Sequence, residues 1–220
     1  MADILSRVSP RRVDPNLSAQ LIEAAAKLLS EEGPAALSTR KLAATVGTST
    51  MAVYTHFGGM DDLVRTMVRE GFTLLNRRLE AVEETDDPVA DVVALGWAYR
   101  ANAREHRHLY NVMFGGAGLS SFSLTDADRQ HGRYTLDALV RAVKRCVAAE
   151  RFRPADPELV AHQLWIALHG LVTLDLGGYL VEPLTADVCF EAQVCGMVLG
   201  AGDDPARARE SVAKAARRPV

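Results

Sequence analysis

Long hydrophobic runs and cysteines are scarce in this sequence. No stretch of about 18 or more uncharged apolar residues occurs, so the sequence predicts no membrane-spanning helix. The first residues, Met1 to Arg7, carry no signal-peptide pattern, and we therefore expect a cytoplasmic protein. The three cysteines, Cys146, Cys189 and Cys195, have neither C-x-x-C nor zinc-site spacing, which favours small core residues in a reducing compartment.

An excess of positive charge is also missing. The formal net charge is -3, so overall electrostatics give no indication of nucleic-acid binding. The nearest basic cluster is Arg7, Arg11 and Arg12, within residues 1–14, which we interpret as a flexible arm. Such an arm either contacts phosphates or the minor groove, or is only a solvated leading segment. A DNA-binding function must therefore follow from local pattern.

Strand-like alternation of apolar and polar residues is absent, and apolar residues recur at helical spacing between glycine and proline breaks. The sequence therefore predicts an all-α fold of about nine helices. Their predicted ranges are 15–32, 39–46, 50–57, 60–84, 88–104, 105–114, 124–149, 156–182 and 185–200. The predicted domains are the arm (1–14), a head (15–59), a body (60–202, with helix 60–84 connecting) and a disordered tail (203–220).

The most informative stretch lies between Leu37 and Phe57. Ser38 and Ser49 are each followed by a short helical segment that they can cap. Gly47 separates the two segments and can adopt the positive φ of a sharp turn, and Ala43 is small where the helices would cross. Two short helices joined by a glycine-containing turn form a helix-turn-helix, which predicts a DNA-binding head.

Two stretches resemble a known family. Residues 37–43 (LSTRKLA) and 47–57 (GTSTMAVYTHF) resemble the DNA-binding head of TetR-type repressors, over about residues 17–70. Residues 164–170 (LWIALHG) are similar to the Trp-x3-His-Gly element of one TetR subgroup. The resemblance implies a homodimer that binds a palindromic operator as a repressor and releases it when an effector occupies a cavity in the C-terminal helices. Two recognition helices one turn of DNA apart would supply the specificity that one short helix lacks.

The predicted DNA contacts lie in the two short helices and their caps. The candidate residues are Ser38, Thr39, Arg40, Ser49, Thr50, Met51, Ala52, Tyr54, Thr55 and His56. We expect Thr50, Met51 and Thr55 to contact base edges, with Met51 and Ala52 against thymine methyl groups. Tyr54 and His56 would donate to phosphates, unless they only cover the core of the head. Arg40 would reach either a guanine edge or a phosphate.

Met60 departs from the family pattern. The family usually has a lysine at this position, at the start of the fourth helix, and the resemblance implies that this lysine holds a phosphate. Methionine cannot do so. We therefore expect fewer charged anchors on DNA and a shallow salt dependence of binding.

The body is predicted to hold the dimer interface and a ligand cavity. The segment from Leu159 to Leu180 is apolar nearly all round, so it must be covered on both sides, either by a partner subunit or by a monomeric core. We expect a homodimer through the helices at 156–182 and 185–200. The candidate ligand-binding residues are Trp97, Tyr110, Met113, Phe114, Phe122, Trp165, His169 and Asp175. They suit a small hydrophobic or amphipathic effector, although each could simply be a core residue.

Other functional classes are less well supported. The histidines invite a metal-dependent enzyme, but no H-E-x-x-H motif, nucleophile elbow or phosphate-binding glycine loop occurs, so we predict no catalysis, no metal and no cofactor. A purely structural DNA-binding dimer without an effector remains an alternative. It would differ from a sensor because no small hydrophobe would both stabilise it and release its DNA.

Overall fold

The chain folds into helices throughout the part that the structure describes. A computed structural model describes residues 15–114, 122 and 124–218, so the predicted basic arm, with Arg7, Arg11 and Arg12, lies outside the described residues. Within these residues there are eleven α-helices and no strand, which confirms the all-α class. The helices are α1 (Pro15–Glu32), α2 (Thr39–Val46), α3 (Thr50–Phe57), α4 (Met60–Glu80), α5 (Pro88–Glu105), α6 (Arg107–Met113), α7 (Asp126–Gln130), α8 (Asp137–Ala148), α9 (Pro157–Leu176), α10 (Ala186–Ala201) and α11 (Pro205–Ala215).

The first three helices form the helix-turn-helix that the sequence predicts. The hydroxyl of Ser38 accepts a hydrogen bond from the backbone N–H of Lys41 (3.3 Å), and Ser49 accepts one from Ala52 (3.1 Å), so both predicted caps are present. Gly47 ends α2 in the left-handed conformation, at φ 75° and ψ 34°. The core beneath them is completed by the buried side chains of Leu21, Leu29, Leu42, Val53 and Phe57.

The body packs directly against the head through α4 and α6. Helix α6 contacts both α1 and α4, and the Asn111 amide donates a hydrogen bond to the Ser30 hydroxyl (3.0 Å). Helix α4 follows α3 after only Gly58 and Gly59, and its apolar side is buried along its whole length. A displacement of α4 or α6 therefore acts on the head through packed contacts rather than through a flexible linker.

The predicted helix at 124–149 is interrupted. Helix α7 is followed by a 3-10 segment, His131–Leu136, before α8 begins. Gly132 lies so close to Phe72 of α4 that a Cβ atom there would be 2.1 Å from the Phe72 Cε1 atom. The chain departs from α geometry where it crosses α4, and this long-range contact explains why local periodicity missed the break.

Two predicted helix ends in the body are also too long. Helix α4 ends at Glu80 rather than at residue 84, and α9 ends at Leu176 rather than at residue 182. Beyond α9 lie Gly177 and Gly178, the second at φ 76°, a value that an α-helix cannot continue through. Apolar residues continue at helical spacing after α9 ends at Leu176, and the sequence therefore predicted a longer helix.

The predicted disordered tail is wrong for residues 205–215, which form α11. Asp204 caps this helix and Pro205 occupies its first turn. Buried Arg151 holds the helix in place: its guanidinium donates to Asp203 (2.6 and 2.7 Å) and to the Ser211 hydroxyl (2.9 Å). Ser211 in turn donates to the carboxylate of Asp87 at the start of α5. The polar partners are more than 50 residues apart in the chain and could not be paired from the sequence.

Candidate DNA-binding surface and ligand cavity

Helix α3 buries one face in the head and presents the other to solvent. Val53 and Phe57 are buried, whereas Met51 is 70% exposed and Tyr54 is 53% exposed. Thr50 and Thr55 are exposed as well. A large apolar side chain and a tyrosine lie mostly in solvent on the outside of a short helix, and this exposure fits a surface that contacts another molecule.

The predicted contact residues differ in how free their polar groups are. The Thr55 hydroxyl donates to the carbonyl of Met51 (2.8 Å), which leaves its oxygen as an acceptor toward DNA. The hydroxyl oxygens of Ser38 and Ser49 accept the capping hydrogen bonds, so these groups have an O–H left to donate to a phosphate. Ala52 and Thr39 are half-buried, and Arg40 is exposed.

Tyr54 and His56 are placed differently. Tyr54 is exposed, so the alternative that it only covers the core does not fit its position. The His56 ring is half-buried, with its centroid 5.8 Å from that of Phe57. Its Nδ1 atom is buried without a hydrogen-bond partner among the described residues. His56 therefore has both a packing role and an unsatisfied ring nitrogen.

The start of α4 carries negative rather than positive charge. Met60 is half-buried and packs on the hydrophobic core, and Asp61 and Asp62 follow it in the first turn. Arg65 pairs with Asp62 (2.6 Å), and this hydrogen bond raises the pKa of the Arg65 guanidinium. Met60 therefore offers no ammonium group at the start of α4, where the resemblance implies a lysine.

A small apolar cavity lies inside the body between α5, α8, α9 and α10. Its volume is ≈ 50 Å³, well below the range of about 300–1,000 Å³ for small-molecule sites. Its lining consists of Leu79, Val92, Leu95, Gly96, Tyr99, Thr135, Leu136, Leu139, Leu164, Trp165, Leu168, Phe190, Gln193, Val194 and Met197. A drug-sized ligand could enter only if these helices separated.

A buried aromatic and histidine cluster borders this cavity. The Tyr110 hydroxyl lies 2.7 Å from Nδ1 of His169, and the Tyr99 hydroxyl lies 3.2 Å from both. Burial lowers the pKa of His169 and raises the pKa of Tyr99 to about 12. The three groups form one hydrogen-bonded cluster in which Nδ1 of neutral His169 can accept from a tyrosine hydroxyl. Phe114 packs on His169 with ring centroids 4.5 Å apart.

The eight predicted ligand residues are not all in one place. Trp165 lines the cavity, while Tyr110, Phe114 and His169 form the cluster next to it. The side chain of Met113 lies against Gly71, and Phe122 is half-buried against the core. These two are placed as packing residues.

Trp97 of α5 and Asp175 of α9 are not among the residues that line the cavity. The Trp97 ring packs against Phe190 with centroids 4.3 Å apart and a tilt of 57° between the planes, and its indole N–H is buried without a partner among the described residues. Asp175 accepts a hydrogen bond from buried Arg100 (2.8 Å), which also pairs with Asp187 (2.5 Å). The carboxylate of Asp175 is thus committed to holding α5 on α9 rather than facing the cavity.

Sequence reasoning missed three polar residues of the cavity, Tyr99, Thr135 and Gln193. Tyr99 lines the cavity and connects it to His169, and the Gln193 amide donates to the carbonyl of Ala167 (3.2 Å). Tyr99 lies two positions after Trp97 on α5 and so faces another side of that helix. Tyr99 could have been included among the aromatic ligand candidates. No sequence pattern distinguishes Gln193 from other polar residues.

Metal-ligating side chains are dispersed in the described part of the chain. His, Cys, Asp and Glu residues there form no group of three that could hold a metal ion. The three cysteines are free thiols; Cys146 is buried, and burial raises its pKa to about 12. A thiol with so high a pKa is a poor nucleophile and a poor metal ligand.

The outer side of α9 and α10 is apolar and exposed. Leu159, Ile166 and Leu174 of α9 are 58%, 62% and 47% exposed, and Val188 of α10 is 49% exposed. By length and composition alone α9 could cross a membrane, with a mean hydropathy of 1.3, although only 17% of that window is buried. Its other side packs on α8 and α10 of the same fold. Exposed apolar side chains grouped on two neighbouring helices are typical of an interaction surface.

Two family models match the chain. The model described as bacterial regulatory proteins, tetR family, matches residues 21–67, which span most of α1 through the start of α4. The model described as tetracyclin repressor-like, C-terminal domain, matches residues 92–197, from α5 through α10. A comparison with curated proteins gives no match.

Solved structures share the fold over nearly the whole chain. A protein of unknown function from Rhodococcus sp. RHA1 is 26% identical with a TM-score of 0.72, covering 89% of this chain and 100% of its own. The TetR family regulator PfmR from Thermus thermophilus is 22% identical (TM-score 0.67, coverage 84% and 99%). The transcriptional regulator FadR from Bacillus subtilis, solved in complex with stearoyl-CoA, is 15% identical (TM-score 0.68, coverage 83% and 98%).

Proposed function

This chain belongs to the TetR family of DNA-binding transcriptional regulators, and from that premise we propose that it is a repressor released from a palindromic operator by a small hydrophobic or amphipathic ligand. The observation that carries the DNA-binding half is the exposed face of α3, with Met51 and Tyr54 outward above a capped, glycine-ended turn. The protein would then act in the cytoplasm, associated with the nucleoid.

The proposed division of labour on α3 separates base reading from phosphate contact. Thr50, Met51 and Thr55 would contact base edges, Ala52 would approach a thymine methyl group, and Tyr54 would donate to a phosphate. We propose that Ser38, Thr39, Arg40, Ser49 and His56 add phosphate contacts. Because Met60 supplies no ammonium group, few charged side chains would contribute, and the slope of affinity against salt concentration would be shallow.

We propose that a homodimer forms through α9 and α10. The exposed leucine, isoleucine and valine side chains of these helices supply the apolar cover that a partner copy would need. Gly196 and Gly200 lie on the exposed side of α10, where the absence of side chains permits close approach of two helices. A two-fold pair of heads would then contact two half-sites about one turn of DNA apart.

Ligand control would operate through the interior cavity. At ≈ 50 Å³ it is too small for a drug-sized ligand, so an effector must separate the surrounding helices. The Tyr99, Tyr110 and His169 cluster joins that lining to α6, and α6 packs on α1 and α4. An effector that prefers the expanded state would shift the population toward head positions that do not match the operator. The stearoyl-CoA bound to the FadR structure supports an amphipathic ligand.

The test begins with selection of an operator from fragmented DNA of the source genome, followed by fluorescence anisotropy. Replacing Tyr54 by Phe should lower the affinity for all DNA sequences by the same factor, whereas replacing Met51 should change the preferred bases. An unchanged sequence profile in Met51 variants would contradict the base-reading role. Parallel titrations with stearoyl-CoA, decanoate and naphthalene test release.

Release by one of these ligands must coincide with a rise in melting temperature, because linkage requires both. A ligand that raises the melting temperature without weakening operator binding would remove the proposed regulation. If no ligand does either, the effector-independent structural dimer is favoured. Stoichiometric zinc or iron in the purified protein would instead revive the metal-dependent enzyme.

A further inference from the structure

A second cavity lies outside the body core, between the C-terminal part of α4 and α5. Its volume is ≈ 570 Å³, compared with ≈ 50 Å³ for the interior cavity, and the two share no lining residue. Such a volume is common for small-molecule sites, which are typically about 300–1,000 Å³. Its polar lining consists of Arg77, Arg78, Glu83, Asn102, His106 and Arg218. This cavity is open as the protein stands.

The side chains that line the cavity include more cations than anions. Three guanidinium groups face a single lining carboxylate, that of Glu83. Arg78 already pairs with Glu105 (2.6 Å) and Arg218 with Asp91 (2.8 Å). The guanidinium of Arg77 is exposed and has no hydrogen bond or ion pair with any part of the chain that the structure describes. One cation is thus available to a ligand.

A buried amide points to the same ligand class. Asn102 is 2% exposed, lines the cavity, and its side chain has no hydrogen-bond partner among residues 15–114, 122 and 124–218. The amide N–H groups of Asn102 can donate to a carboxylate or phosphate oxygen. Because Asn102 lines the cavity, these N–H groups are available to a ligand that enters it.

We propose that this cavity binds a small amphipathic organic anion, a carboxylate or phosphate ester with a short apolar chain. Arg77 would pair with the charged group while Asn102 donates to one of its oxygens. The apolar chain would lie on the aliphatic floor, which includes Leu74 and Ala98. The proposal goes beyond the repressor function, since it requires neither an operator nor a ligand in the interior cavity.

Binding is measured by isothermal titration calorimetry on the full chain without DNA. The probes are hexanoate, hexyl phosphate, inorganic phosphate and hexan-1-ol. We expect saturable binding of hexanoate or hexyl phosphate and at least tenfold weaker binding of hexan-1-ol, which lacks the charge. Inorganic phosphate should also bind more weakly than hexyl phosphate, and equal affinity would overturn the amphipathic assignment.

Two charge-matched variants locate the site. Arg77→Gln should weaken binding of the anion about tenfold, which corresponds to about 1.4 kcal/mol. Arg104→Gln removes the same charge from an exposed position on α5 outside the cavity, and should leave affinity unchanged. Equal affinities in the two variants would overturn the proposal, because an anion in the interior cavity is indifferent to both.

Asn102→Ala separates a binding role from a structural one. Since the amide has no protein partner, its removal should leave the melting temperature of the free protein unchanged or higher. The same change should lower the affinity for the anion at least fivefold. A lower melting temperature with unchanged affinity would contradict the role of Asn102 in binding. The arginine pair still decides the location of the site if this variant folds poorly.

Discussion

In the head, the residues that fix each helix end lie next to that end in the chain: Ser38 and Ser49 cap the helices that follow them, and Gly47 ends the helix before it. In the body, the corresponding residues are far apart. Arg151 joins Asp203 and Ser211 of the C-terminal region, and Gly132 fits against Phe72. The comparison predicts that local substitutions have modest effects in the head, whereas single changes in the body remove contacts between distant helices.

The largest effect is expected at Asp203. Replacing Asp203 by Ala leaves the Arg151 guanidinium, which is 4% exposed, without the carboxylate that holds two of its donors. Breaking a buried ion pair by removing one partner costs about 3 kcal/mol or more when the other charge is left unpaired, and Arg151 would keep only its ion pair with Asp87 (3.1 Å). We expect a loss of that size in the free energy of unfolding, measured in urea at one fixed protein concentration.

Glu80→Ala is the matched control for Asp203→Ala. Arg141 and Glu80 also form an ion pair (2.8 Å), but both side chains are nearly half exposed. Such a pair contributes less than about 1 kcal/mol. Comparable losses in the two variants would contradict the idea that burial of Arg151 makes α11 dependent on Asp203.

The second largest effect is expected at Gly132. A Cβ at this position would lie 2.1 Å from the Phe72 ring, so Gly132→Ala must displace Phe72 or the 3-10 segment, at a cost of about 1–3 kcal/mol. Because the cost comes from contact, Phe72→Leu in the same chain should reduce it. A double-mutant cycle measured by urea unfolding checks this coupling, and strictly additive losses would count against it.

A smaller effect of a different kind is expected at Gly47 in the head. No atom lies within 4 Å of a Cβ built on Gly47, so Gly47→Ala costs only the left-handed conformation, about 1 kcal/mol. Gly47→Asn should lose less stability, because asparagine tolerates the left-handed conformation. Thermal unfolding compares the two variants. If Phe72→Leu relieved the Gly47→Ala loss as it does that of Gly132→Ala, the distinction between local and long-range costs would fail.

These differences explain which features could be predicted from the sequence. The head helices at 15–32, 39–46 and 50–57 agree with the structure because caps, glycine and apolar spacing are neighbours in the chain. The break at His131 to Leu136 and the presence of α11 were missed, since both depend on partners in other helices. The domain boundaries at 59 and 202 stay predictions.

The candidate ligand residues illustrate the same limit. Tyr110, Phe114, Trp165 and His169 do meet, because large aromatic side chains in an apolar body have few other places to pack. Asp175 was selected as a polar contact, yet its partner Arg100 lies 75 residues away and satisfies it. The sequence shows which side chains a core can contain. Only the structure shows which polar groups are already paired and which remain for a ligand.

The smallest expected effect concerns the pH dependence that the body acquires from His169. Burial lowers the pKa of His169 below its ordinary value of 6.5, so the unfolded chain binds a proton more readily than the folded one. The stability contributed by neutral His169 is therefore fully present above pH 6.5 and is lost as the pH falls below it. In the variant His169→Asn, the amide oxygen can accept the Tyr110 hydrogen bond without titrating.

We expect the free energy of unfolding of the unmodified chain to fall more steeply than that of the variant between about pH 7.5 and 5.5. Parallel curves would mean that folding leaves the proton affinity of His169 unchanged, and the cluster beside the cavity would then not be as dry as its burial implies.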